Sequence, residues 1–95
     1  MAMRNLGELH GDGHIVLKDG SRSATRYVLR VVEDGSRMKS ADGTLAGEDG
    51  VLYAAFEQGR CTLELSDGAR VRIIVTRLGC EGAAEIVVSG PVPGF

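Results

Sequence analysis

Two imidazoles flank a carboxylate in His10-Gly11-Asp12-Gly13-His14. Histidine and aspartate are ordinary ligands for zinc and other transition metals, so this cluster approaches a metal-binding set. A three-residue turn at Gly11-Asp12-Gly13 would place His10 opposite His14 and Leu9 opposite Ile15. That turn already engages Asp12, however, so His10 and His14 read equally well as solvated side chains on a strand face. The second group is cationic. Arg22, Arg26 and Arg30 share one face of an alternating run with Val28 and Val32, and Arg70 and Arg72 share another with Ile74. On neighbouring strands these guanidinium groups would make a surface for phosphate or carboxylate. The same mixture of arginine and aliphatic side chains, with Val87 beside Glu85, also has the composition of a protein contact surface. Glu64 and Glu85 are the acids placed to pair with it.

Other chemistry finds no setting in the chain. Gly7, Gly11 and Gly13 precede a strand run rather than opening a helix, so they do not form a phosphate-cradling loop. None of the serines sits in a nucleophile elbow. Cys61 and Cys80, 19 positions apart, match no zinc spacing and are expected to be reduced, small, buried hydrophobes. No cofactor is implied, and the pattern leans away from an enzyme.

These groups must be carried by a chain of 95 residues, enough for one domain with no linker or low-complexity tract. Net charge is −2, with nine arginines and only two lysines among the 11 basic residues. That balance gives no general attraction to nucleic acid or to an anionic membrane. No apolar stretch reaches the ~20 residues that span a bilayer, and the first residues lack the apolar core of a signal peptide. A cytoplasmic location is the expectation.

Every aspartate is followed by glycine: at 12–13, 19–20, 34–35, 42–43, 49–50 and 67–68. Asp bonds its own main chain and Gly accepts positive φ, so each pair between short apolar runs is a hairpin signal. The expected fold is all-β: a small antiparallel barrel or two-sheet sandwich of about seven to nine short strands with at most one short helix. Strands are predicted near 6–10, 14–18, 24–33, 36–41, 44–47, 51–57, 60–66, 69–78 and 83–89. A three-residue loop at Ser66-Asp67-Gly68 sets Leu63 against Val71, Cys61 against Ile73 and Glu64 against Arg70. The same rule at Lys18-Asp19-Gly20 opposes Leu17 to Ser21 and turns Tyr27, Leu29 and Val31 inward. A two-residue loop at Asp34-Gly35 would set Val31 against Met38. Residues 51–58 are apolar on both strand faces and read alternatively as a short helix ended by Gly59. A faint similarity of residues 7–38 to 43–78 suggests duplication, and 90–95 is an extended, proline-bearing tail.

No single function is specified by this pattern. The leading expectation is a non-catalytic β-module acting through protein–protein contacts, as a homodimer, with Arg22, Arg26, Val28, Arg30, Val32, Arg70, Arg72 and Ile74 as its surface. The alternative is an anion binder using the same arginines; exposed aromatics for stacking bases are too few to favour nucleic acid.

Overall fold

The protein is described by a computed structural model over residues 4–33 and 38–92. Its elements are β1 (Arg4–Val16), β2 (Arg22–Glu33), β3 (Lys39–Gly47), α1 (Asp49–Gln58), β4 (Arg60–Glu64), β5 (Arg70–Leu78) and β6 (Ala83–Val88). The strands close into an antiparallel barrel in the order β1-β2-β3-β6-β5-β4, with β4 returning to β1. Because β3 and β4 are not neighbours, the chain must cross between them, and α1 makes that crossing. The all-β expectation and the barrel are therefore correct, but the strands are fewer and longer than predicted.

The difference lies in the Asp-Gly pairs. Asp19-Gly20 and Asp67-Gly68 form hairpin turns, closed by Leu17 N–H to Ser21 O at 3.0 Å and by Leu65 N–H to Ala69 O at 2.7 Å. Asp12-Gly13 and Asp42-Gly43 instead lie inside β1 and β3, which run straight through them. Asp49-Gly50 opens α1, and Asp34-Gly35 lies outside the described residues. An Asp-Gly pair permits a turn without compelling one. Where strands on both sides satisfy the backbone, the glycine serves close packing instead. A Cβ on Gly13 would collide with the Glu64 carbonyl oxygen, and one on Gly43 with the Val28 carbonyl oxygen. Consequently His10 and His14 sit on one strand, and Leu9 is not opposite Ile15: Leu9 pairs with Leu29, and Ile15 with Ser23 and Leu63. Val31 pairs with Ala41 rather than Met38.

Residues 51–57 are helical, not a strand. Leu52 and Ala55, three apart, bury one stripe against the barrel, while Tyr53 and Phe56 stay exposed. Gly59 ends the helix with φ of 89°, its N–H directed to the Ala55 and Phe56 carbonyls. At the other end the Asp49 carboxylate accepts the Gly82 N–H at 2.6 Å, tying the helix start to the β5–β6 turn.

The core follows the predicted alternation. Leu29, Val31, Leu63 and Ile73 are fully buried, and Tyr27, Leu65, Val71 and Val75 nearly so. Leu63 faces Val71, Cys61 faces Ile73 and Glu64 faces Arg70, as the three-residue loop requires. Tyr27 puts its polar end to use: its phenolic oxygen accepts the Ser66 N–H at 3.1 Å, anchoring the β4–β5 turn. Both cysteines are free, but only Cys61 is buried; Cys80 stands exposed after β5, contrary to the expectation of two buried thiols.

In that β4–β5 turn Gly68 has φ of 91°, while the Asp67 carboxylate accepts the Ala69 N–H at 2.9 Å. Gly68→Val should therefore cost about 1–3 kcal/mol in urea unfolding, the usual cost of forcing a side chain into that region. Asp67→Asn keeps an acceptor oxygen and should stay within about 0.5 kcal/mol of wild type. Equal damage from both would show that the carboxylate charge itself is needed.

Candidate anion-binding groove

Barrel closure assembles a surface that no single strand carries. Arg22 on β2 pairs with Val16 on β1, Val16 with Thr62 on β4, and Thr62 with Arg72 on β5. Their buried sequence neighbours Ile15, Leu63, Val71 and Ile73 point inward, so this row faces out. Beside it the β1–β2 turn brings Lys18 over the junction of α1 and β4. Gln58 fixes that meeting: its carboxamide oxygen accepts the Lys18 N–H at 3.0 Å, and its NH2 donates to the Arg60 carbonyl at 2.9 Å. The turn is tightened independently by Asp19, which accepts both the Ser21 hydroxyl at 2.6 Å and the Ser21 N–H at 2.9 Å. Those bonds, the hydroxyl first, hold the Asp19 carboxyl below its ordinary value.

The result is a groove of about 400 Å³ with Val16 and Leu17 on its floor and Lys18, Arg60, Thr62 and Arg72 around it. No acidic residue lines it, and none of the ion pairs among the described residues involves Lys18, Arg60 or Arg72. Cys61 also reaches the groove, but burial pushes its thiol up, away from the reactive thiolate. The site has cations and a hydroxyl on a shallow apolar floor, suited to holding an anion.

Glu64 borders this groove and sets its limits. Its side chain, only 16% exposed, pairs with Arg22, with Arg70 at 3.2 Å and with His14 at 3.9 Å. One carboxylate thus partly neutralises two of the predicted arginines, while Arg72 stays clear of it.

The remaining predicted residues are dispersed. β2 and β5 are not neighbours. Arg26 pairs with Asp12 at 3.2 Å on open surface, and Arg30 stands between Glu8 and Asp42. Val28, 39% exposed, lies between His10 and Thr44. Val32 faces Ser40, and Ile74 on β5 stands beside Val87, three strands away from β2. Arg22, Arg70 and Arg72 come together; Arg26, Arg30, Val28, Val32 and Ile74 do not join them. Lys18, Gln58 and Arg60 escaped the sequence reading altogether. Lys18 read as a turn residue and Arg60 as a strand start, and only the β1–β4 pairing reveals that they meet.

His10 and His14 are four positions apart on one strand, roughly 13 Å at ~3.3 Å per residue, rather than opposite each other. Among the described residues no group of three His, Cys, Asp or Glu side chains could hold a metal ion. Likewise no helix among them is long and apolar enough to cross a membrane. Comparison with protein-family models, curated proteins and solved structures produced no match.

Proposed function

We propose that this barrel is a non-catalytic binding module that takes a phosphate- or carboxylate-bearing ligand in the groove of Lys18, Arg60 and Arg72. The observation that carries the reading is three cations around one concavity that have no ion-pair partner among the described residues, with the backbone at Lys18 and Arg60 tied by Gln58. Tying these two backbone segments together brings the Lys18 ammonium and the Arg60 guanidinium to one concavity, where both can meet the same anion. Self-association through the predicted valine-arginine face has less support. Asp42, Thr44 and Ser40 on β3 lie between Val28 and Val32 on one side and Val87 and Ile74 on the other, so the apolar members do not form one patch.

Titration with inorganic phosphate, followed by amide chemical shifts, tests the proposal. Shifts should saturate and concentrate at Lys18, Arg60, Thr62 and Arg72. Lys18→Ala and Arg60→Ala should each weaken binding by about tenfold, the effect of losing one charged hydrogen bond. Shifts spread evenly over Arg26, Arg30 and the groove, without saturation, would show only general charge attraction and end the proposal.

A further inference from the structure

Arg72 belongs to two concavities. Beyond the groove already described, a second hollow of about 360 Å³ lies on its other side, lined by Arg70, Arg72, Ser89, Gly90 and Pro91. After β6 the chain stays alongside β5, because the Ser89 N–H donates to the Arg72 carbonyl at 2.8 Å. That bond builds the far wall. Arg70 and Arg72 project from the same face of β5, roughly 6.6 Å apart at ~3.3 Å per residue. Basic side chains therefore run from Lys18 and Arg60, across Arg72, to Arg70.

Building on the proposed anion site, we propose that its ligand is a compact molecule carrying two or more linked phosphate groups, one in each hollow, with Arg72 between them. Three features select this class. A single phosphate in the first groove does not reach Arg70, which lines only the second hollow. No aromatic side chain lines either hollow, so the site offers phosphates their partners and bases no stacking platform. The basic track is short, and Glu8, Asp12 and Asp42 lie on β1 and β3 outside it, which disfavours a long polyanion wrapped round the barrel. In the second hollow the ligand competes with Glu64 for Arg70.

Calorimetric titration with orthophosphate, tripolyphosphate and a short oligothymidylate tests this, with unfolding midpoints confirming that each variant is folded. Wild type should bind tripolyphosphate at least about tenfold tighter than orthophosphate. Arg70→Ala is best read in a Glu64→Gln background, so that no freed carboxylate repels the ligand. There it should weaken tripolyphosphate by about tenfold and leave orthophosphate unchanged, whereas Lys18→Ala should weaken both. If Arg70→Ala spares tripolyphosphate while Lys18→Ala still weakens orthophosphate, the two-hollow ligand is wrong and the groove stands. If Lys18→Ala changes neither, the groove itself is wrong and this inference falls with it. Oligothymidylate binding tighter than tripolyphosphate would overturn the compact ligand in favour of a nucleic-acid strand.

Discussion

Gly43→Val is expected to cost more than about 3 kcal/mol, enough to leave a marginal domain largely unfolded. The reason is contact rather than turn geometry. Gly43 lies mid-strand in β3, pairing with Leu29 and Ile86, on the inward-facing alternation with Ala41 and Leu45. A side chain there would drive into the Val28 carbonyl and against the Leu29 Cα. Both obstacles are backbone of a strand paired on each edge, so neither can yield as a flexible side chain would. Asp42→Asn, one residue away with its side chain exposed, should stay within about 0.5 kcal/mol of wild type. Urea unfolding of the pair gives the comparison. A Gly43→Val protein with a wild-type midpoint would mean that β2 and β3 do not approach this closely.

Ile73→Ala should cost about 2–5 kcal/mol, combining lost burial with the cavity left behind. Ile73 is 0% exposed and sits between Cys61 on β4 and Val88 on β6, so strands on both sides restrict collapse into the space. Its neighbour Ile74 faces outward and is half-buried, and its truncation should cost markedly less. A loss below about 0.5 kcal/mol at Ile73 would place it at the surface and reverse the inside-outside assignment of β5.

That assignment was readable because alternation and turn chemistry agree over residues 60–76. Only one register puts Leu63, Val71 and Ile73 on the same side and Glu64 against Arg70. The inward set on β2 was readable for the same reason. Gly13 and Gly43 were misread because their sequence signature matches that of Gly68, while their purpose depends on a strand brought alongside by the fold. Residues 51–58 carry apolar side chains on both strand faces, and what decides for helix is the barrel core that Leu52 and Ala55 join. The site divides likewise. Arg22, Arg70 and Arg72 could be singled out as outward cations from alternation alone. Their grouping with Lys18 and Arg60 depends on closure between β1 and β4, and no periodicity reports that.

The double pairing of β1 also shapes how the molecule must come to exist. β1 can join β2 as soon as both have left the ribosome, but it cannot meet β4 until β3 and α1 have followed. Such distant pairings fold slowly, in milliseconds to seconds for barrels of this kind, because loop entropy is spent before the contact forms. Throughout that interval β1 and β3 present unpaired edges, the surfaces on which strands of separate chains join. Closure pairs β1 with β4 over His14, Ile15 and Val16, and β3 with β6 from Asp42 to Ala46, so at those residues the hazard of aggregation belongs to the nascent and refolding chain.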